Sequence, residues 1–163
     1  MPASTTSVEV ARAVVAAVLD PEVPVLTIDD LGILRDVTVD DSGHVEVTIT
    51  PTYSGCPAME AITADVTQAL ADRGFRDVGV RLVLAPAWTT DWMSDAGKQK
   101  LLDYGIVPPQ PRDDSTVRVT LSLRCPQCDS PDTRELSRFG STACKALWVC
   151  NACREPFDHF KAI

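Results

Sequence analysis

The chain has 163 residues, of which 45% are hydrophobic, and a formal net charge of −8. This length suits one ordinary domain, or a domain of about 110 residues with a small appendage. Residues 1–112 hold 16 Asp and Glu against 8 Lys and Arg; such an acidic body repels phosphates, which disfavours nucleic-acid binding.

An amphipathic helix is predicted near the start of the chain. Apolar residues recur there at helical spacing: Val8, Ala11, Val15 and Val18. Because the residue before a proline is pushed out of the helical region, Pro21 predicts that this helix ends at Asp20.

Two strands, a helix and a further strand follow. Residues 33–39 are rich in β-branched side chains, residues 45–49 alternate between apolar and polar, and a turn sequence between them predicts a hairpin. A helix over 57–73 and a strand over 78–84 complete a parallel crossover unit. The fold class is therefore α+β: a small α-β-β-α-β domain with a mixed sheet.

The last third of the chain reads as a separate β domain. A third helix is expected over 90–104, followed by the Pro-rich sequence of a stiff spacer. We place an α/β domain at 1–107, a linker at 108–116 and a small ribbon domain at 117–163. Short strands are expected in this region over 117–123, 134–138, 146–149 and 156–160.

Two Cys-x-x-Cys turns predict a metal site in the ribbon. They comprise Cys125 with Cys128 and Cys150 with Cys153, separated by 21 residues. Each turn can aim two thiolates at one point, and two turns together can close a tetrahedron around a metal. The pattern indicates a structural zinc ribbon, with iron in a rubredoxin-like site as the alternative occupant.

Disulfides are the competing interpretation of six cysteines. Residues 1–7 lack the basic patch and long apolar stretch of a signal peptide, and no apolar run approaches the roughly 20 residues of a membrane span. We therefore expect a cytoplasmic protein with no membrane partner, in which reduced thiols bind metal.

Cys56 is the candidate reactive thiol. It precedes Pro57, which suits a first helical turn, so its sulfur is expected at the positive end of a helix dipole. A thiolate is favoured in such a place, and metal binding follows thiolate character. The alternative is a small buried residue at a helix start.

Asp20, Glu22 and Cys144 are the other candidates for binding a cofactor. The two carboxylates follow the first helix and could steer metal ions, although a solvated turn is the simpler interpretation. Cys144 lies six positions before Cys150 and could replace it as a ligand, with Lys145 favouring its thiolate. The alternative is a buried cysteine of the ribbon.

The motifs of common enzymes are missing from the sequence. There is no glycine-rich phosphate loop, no Gly-x-Ser-x-Gly and no His-Glu-x-x-His pattern. His44 and His159 have no triad spacing to a partner, so a thiol enzyme using Cys56 ranks last among the functions considered. We expect a protein that is not itself an enzyme.

Several stretches resemble a known family. Residues 20–33 and 50–59, which include Asp20-Pro21-Glu22 and Ser54-Gly55-Cys56-Pro57, resemble the domain of iron–sulfur assembly factors of the SufT and cytosolic-assembly type. The cysteine quartet, with residues 139–147 and 156–160, resembles the PaaD (also PaaJ) branch of that family, from phenylacetate degradation.

This resemblance implies a maturation factor for the multicomponent phenylacetyl-CoA ring epoxidase, which has a di-iron oxygenase and an iron–sulfur reductase. The motif cysteine of the family falls on Cys56, and its acidic motif on Asp20 and Glu22. The implied partners are the oxygenase or reductase components and iron–sulfur assembly proteins. A non-catalytic docking subunit of the oxygenase is the alternative role.

The number of ligands limits what Cys56 can carry. Clusters usually need four ligands, so one cysteine cannot hold a cluster alone. Transient iron or an iron–sulfur cluster at Cys56 would therefore require a homodimer, a partner protein or help from Cys144.

Overall fold

The computed structural model describes residues 5–111 and 122–163. The chain packs as two compact units. The first holds the described residues up to Trp88 together with Trp92–Ser94, and the second holds Thr89–Asp91 and the described residues from Asp95 onward. Among these residues no helix has the length and apolar character to cross a membrane.

The first unit is the α-β-β-α-β arrangement expected from the alternation of apolar residues. Its elements are α1 (Thr5–Ala16), β1 (Leu34–Val39), β2 (Val45–Ile49), α2 (Ala58–Asp72) and β3 (Val78–Leu82). The sheet order is β1-β2-β3, with β1 antiparallel and β3 parallel to β2. Both the hairpin and the crossover unit are therefore as predicted.

The core of the first unit lies beside the central strand. One face of β2 is fully buried through Val45, Val47 and Ile49, and α2 contributes a fully buried stripe at helical spacing: Ile62, Val66 and Leu70. The α1 helix contacts β1 and α2, while α2 contacts β3. The alternating apolar residues of β2 and the apolar stripe of α2 thus contribute to one buried layer.

The first helix ends at Ala16, four residues before the predicted end at Asp20. Tertiary hydrogen bonds explain the difference, because residues 18–20 turn back and pair with residues 26–28. The N–H of Ile28 donates to the carbonyl of Val18, and the N–H of Asp20 to that of Leu26, each at 2.9 Å. Asp20 is thereby fixed in a closed loop.

The second unit is built around a four-stranded sheet. Its elements after a 3-10 turn are α3 (Asp95–Asp103), β4 (Ile106–Val107), β5 (Thr133–Ser137), β6 (Lys145–Cys150) and β7 (Pro156–Phe160). The strand order is β4-β7-β6-β5, with β4 parallel to β7 and the other pairs antiparallel.

The helix expected over 90–104 is interrupted. A 3-10 turn covers Thr90–Trp92, and α3 begins only at Asp95. The backbone N–H of Ser94 donates to the carbonyl of Asp30 at 2.8 Å, and its hydroxyl to the Asp30 carboxylate at 3.1 Å. These tertiary bonds hold Ser94 outside a continuous helix.

The division into compact units does not coincide with the expected boundary at residue 107. Strand β4 pairs with β7, so it belongs to the sheet of the second unit, and α3 contacts β4. The strand expected over 117–123 lies mostly outside the described residues, and Ser122 and Leu123 are not in a strand.

Candidate functional site

The two Cys-x-x-Cys turns have the same backbone construction. In the first turn the N–H of Asp129 donates to the carbonyl of Cys125 at 2.9 Å, and in the second that of Arg154 donates to Cys150 at 3.0 Å. Each Cys-x-x-Cys turn is thus closed by its own backbone hydrogen bond. Each turn presents its pair of sulfurs in one direction.

The four sulfurs have the spacing of a tetrahedral metal site. The Sγ atoms of Cys125 and Cys153 are 3.7 Å apart, those of Cys128 and Cys150 are 3.6 Å apart, and all four lie within 4.8 Å of one another. A zinc–sulfur bond of about 2.3 Å gives tetrahedron edges of about 3.8 Å, whereas a disulfide needs about 2.0 Å. The quartet therefore fits a structural zinc.

The surroundings of the quartet divide it into two halves. Cys125 and Cys150 are buried, whereas Cys128 and Cys153 are exposed. The buried pair belongs to an apolar cluster: Val107, Leu123, Ala146, Trp148 and Phe157. The backbone N–H of Cys153, 3.5 Å from the sulfur of Cys150, helps lower the pKa of the Cys150 thiol to about 7. The pKa values of the Cys128 and Cys153 thiols are raised, because burial and the neighbouring sulfurs outweigh the backbone N–H groups of Ser130 and Glu155. Within the quartet, the thiolate that metals bind is therefore favoured at Cys150.

Cys56 lies at the end of the loop that joins β2 to α2. Its side chain is 8% exposed, between the exposed Gly55 and the Pro57 that precedes the helix. The hydroxyl of Thr52 lies 3.9 Å from the Cys56 sulfur, and the backbone N–H of Cys56 donates to the carbonyl of Tyr53 at 3.2 Å. The thiol is therefore held near the surface, in a loop closed on itself.

The pKa of the Cys56 thiol is raised, whereas the sequence predicted a favoured thiolate. Burial raises the pKa of this thiol, and the negative charges of Glu22 and Asp20 raise it further. The backbone N–H of Ala58, at the start of α2, and the hydroxyl of Thr52 favour the thiolate, but they are outweighed. The helix terminus therefore acts in the predicted direction, but burial and the two carboxylates outweigh it, so the net pKa of the thiol is raised.

Asp20 and Glu22 are brought into the neighbourhood of Cys56, since both act electrostatically on its sulfur. Asp20 is only 5% exposed, and its Oδ1 accepts the backbone N–H groups of Glu22 at 2.9 Å and of Val23 at 2.7 Å. A solvated turn does not describe Asp20. The donor atoms of these three residues do not all converge within the 4.8 Å that the cysteine quartet satisfies.

Cys144 lies in the second unit, directly before β6. It is 4% exposed, and its sulfur is 2.9 Å from the hydroxyl of Thr142. It is not one of the four cysteines whose sulfurs converge. The structure thus places it as a buried cysteine of the ribbon that pairs with a neighbouring side chain.

The ion pair of Lys145 and the half-buried Asp158 was not apparent from any sequence pattern. The Lys145 side chain is 6% exposed, and its Nζ lies 3.8 Å from a carboxylate oxygen of Asp158. The two residues lie on β6 and β7, so only the register of these strands brings them together.

The two halves of the chain match two families. Residues 9–82 match the family described as iron–sulfur cluster assembly protein, and residues 109–161 match the PaaD zinc beta ribbon domain. In class, the protein is therefore an iron–sulfur assembly-type domain joined to a zinc ribbon. The chain belongs to the PaaD family: it is 49% identical over 151 residues to an Escherichia coli protein provisionally named as a subunit of 1,2-phenylacetyl-CoA epoxidase, with 93% of this chain and 90% of that protein covered.

Other relatives cover the first half of the chain. The Fe-S protein maturation auxiliary factor YitW of Bacillus subtilis is 42% identical over 82 residues, which is 50% of this chain and 79% of YitW. A crystal structure of a DUF59 domain from Bacillus anthracis superposes with a TM-score of 0.55 at 32% identity, covering 59% of this chain and 92% of that one. The fold of the first half is therefore that of DUF59 domains.

Proposed function

We propose that this protein is a non-catalytic maturation factor for the metallocofactors of a multicomponent phenylacetyl-CoA epoxidase, with Cys56 as a transient carrier of iron or an iron–sulfur cluster. The observation that carries the proposal is the grouping of the Cys56 thiol with the carboxylates of Asp20 and Glu22. This group lies in the half of the chain that matches iron–sulfur assembly proteins.

The electrostatics of Cys56 suit a carrier that releases its cargo. A metal binds the thiolate, so binding must displace the proton that burial and two carboxylates hold on this sulfur. Once the metal leaves, the proton returns, and the thiol is protected from oxidation because the thiolate is the reactive form. The cargo is therefore held less tightly than by a preformed thiolate site.

Cys56 needs ligands from elsewhere for a cluster, because clusters usually take four. The sulfur and the two carboxylates do not converge on one point, so loading requires the loop of residues 50–56 to move or a second protein to supply donors. A second copy of the chain or an assembly protein could bring them. This partial site is consistent with transfer between proteins.

Thiol catalysis has less support. His44 lies just before the first residue of β2, whereas Cys56 follows the last, and the Nδ1 of His44 is 3.0 Å from the Asp77 carboxylate. His44 thus lies at the other end of β2 from Cys56, and the carboxylates of Glu22 and Asp20 raise the pKa of the thiol instead of activating it.

A docking role is the second candidate, and the name of the Escherichia coli relative, an epoxidase subunit, favours it. In that role the ribbon and the acidic first half would bind the oxygenase components without handling metal. The two candidates make opposite predictions for a chain that keeps its surface but lacks the Cys56 sulfur.

The test compares epoxidase components produced in cells with the wild-type chain, with Cys56→Ser, or without the chain. Iron and acid-labile sulfide are then measured on the purified oxygenase and reductase, together with epoxidase activity. We expect the oxygenase and reductase produced with Cys56→Ser to be as poor in iron and sulfide as those produced without the chain. Full metal content with Cys56→Ser, together with co-purification of the chain in fixed stoichiometry, would establish the docking role instead.

A further inference from the structure

Phe139 is the most exposed large hydrophobic residue that the structure describes. Its side chain is 69% exposed at the turn between β5 and β6, compared with 62% for Leu84 and 57% for Tyr104. Single exposed apolar side chains are common on soluble proteins, but aromatic residues are enriched where protein partners bind. We refer to Arg138, Phe139 and Lys161 together as the Phe139 patch.

The loop that carries Phe139 is held in one shape. Gly140 donates its N–H to the carbonyl of Lys145 at 2.7 Å, and Lys145 donates to Thr142 at 3.2 Å. A Cβ at Gly140 would lie 3.0 Å from Asp158, so the loop packs closely against the ion pair of buried Lys145 and half-buried Asp158. The backbone beside Phe139 is therefore held in place, which reduces the entropy that the loop loses when a partner binds.

Lys161 connects the loop with β7 and lies over the exposed ring. Its backbone N–H donates to the carbonyl of Cys144 at 2.9 Å, and its Nζ donates to the carbonyl of Arg138 at 2.9 Å. The same Nζ lies 4.7 Å from the centre of the Phe139 ring. A cation at this distance is attracted by the face of the ring and leaves much of it open to solvent.

The charge of the patch is opposite to that of the chain as a whole. Within residues 5–111 and 122–163, neither Arg138 nor Lys161 forms an ion pair with a carboxylate. Arg138 and Lys161 thus place two positive charges beside the aromatic ring, on a chain whose net charge is −8. Its electrostatic complement is an acidic surface.

We propose that the Phe139 patch docks onto a protein partner that offers an apolar cleft bordered by carboxylates. Phe139 fills the cleft, and Arg138 and Lys161 pair with the acidic rim. Phe and Arg are both enriched at protein interfaces, and Arg is among the residues that dominate binding energy there. This inference rests on the proposed function, which makes the epoxidase components the partners to test.

The experiment measures the affinity of the full-length, zinc-loaded chain for the purified oxygenase and reductase components at about 50 mM and about 300 mM salt. The variants are Phe139→Ser, Lys161→Gln and, as a matched control, Tyr104→Ser. Tyr104 is also exposed and lies in the same unit. Zinc content and circular dichroism verify that each variant is folded.

For one component we expect Phe139→Ser to weaken binding about tenfold or more, and Lys161→Gln to weaken it severalfold and reduce its salt dependence. Tyr104→Ser should bind within about twofold of the wild type. Wild-type affinity for Phe139→Ser would overturn the inference while leaving the proposed function intact. Phe139-dependent self-association of the chain, or no binding to any component, would show that the proposed partner is wrong, and metal delivery is tested independently through Cys56.

Discussion

Asp129 and Arg154 occupy equivalent positions in the two metal-binding turns. Each directly follows the second cysteine of its turn, and their φ angles are +59° and +69°. The left-handed conformation lets each N–H reach back to the carbonyl of the first cysteine. It also costs about 1–2 kcal/mol for a residue with a Cβ, so the sequence tolerates strain in order to aim the sulfurs.

Replacing Arg154 by glycine should therefore stabilise the zinc-loaded protein. Glycine adopts positive φ without a steric cost but loses more entropy on folding, so the net gain is about 0.5–1 kcal/mol. Thermal unfolding of the wild type and Arg154→Gly measures this gain. Glu155→Gly is the matched control, because Glu155 has no positive φ and should lose stability. A less stable Arg154→Gly would show that the side chain itself supports the turn.

Removal of zinc should unfold the second unit selectively. The metal ties together two turns that otherwise rest on a small apolar cluster, and structural zinc contributes on the order of 10–16 kcal/mol of apparent binding free energy. Hydrogen exchange after strong chelation should show lost protection in β5, β6 and β7. Protection in β4 should be lost with them, because its partner is β7. Protection of β1 to β3 should persist, and its loss would show that the two units unfold together.

Replacing Glu22 by glutamine should make Cys56 more reactive. Burial and the charge of Glu22 raise the pKa of the thiol, so removing this charge increases the thiolate fraction at any pH below the pKa. The rate of alkylation by iodoacetamide at pH 8 should rise severalfold. Exposed Glu60 provides the control, since Glu60→Gln should leave the rate unchanged. Equal rates for Glu22→Gln and the wild type would show that this carboxylate does not act on the thiol.

His159 should make the second unit sensitive to mild acid. Burial, aided by Lys161, lowers the pKa of His159 to about 4, whereas the unfolded chain has a value of about 6.5. The folded state thus binds fewer protons, and stability present above pH 6.5 is lost as the pH falls toward 4. His159→Gln removes this pH-dependent contribution to the free energy of unfolding, which is on the order of 1–2 kcal/mol after allowance for solvent screening.

Comparing the wild type with His159→Gln at each pH controls for zinc loss, because protonation of the thiols affects both proteins alike. The difference in their unfolding free energy should shrink or reverse between pH 6.5 and pH 4. A difference that stays constant over this range would mean that His159 does not titrate in the folded protein at the expected pH.

Local patterns explain which parts of the fold could be predicted from the sequence. The alternation in β2 and the helical stripe of α2 arise from residues close in the chain, so they determined the hairpin, the crossover and the buried face. The cysteine quartet could also be predicted from the sequence, because the spacing within a Cys-x-x-Cys turn determines where its two sulfurs point. The β4 strand was missed because two residues carry no periodicity and only its pairing with β7 defines it.

The features that could not be predicted depend on tertiary contacts. The early end of α1 results from pairing between Val18 and Ile28, which lie ten residues apart. The protonation of Cys56 depends on how far the loop buries its sulfur and on carboxylates more than 30 positions earlier in the chain. The residues beside Cys56 indicate only the helix terminus, which by itself predicts the wrong direction for the pKa.

The most direct test of the central claim is iron and sulfide analysis of zinc-loaded protein reconstituted without oxygen. Wild type, Cys56→Ser and Cys144→Ser are compared side by side, since Cys144 is also buried, lies outside the quartet and already contacts Thr142. We expect the wild type and Cys144→Ser to take up iron beyond the zinc site, with uptake rising as the pH increases, and Cys56→Ser to take up none. Equal uptake by the wild type and Cys56→Ser would contradict the assignment of Cys56 as the iron-carrying thiol.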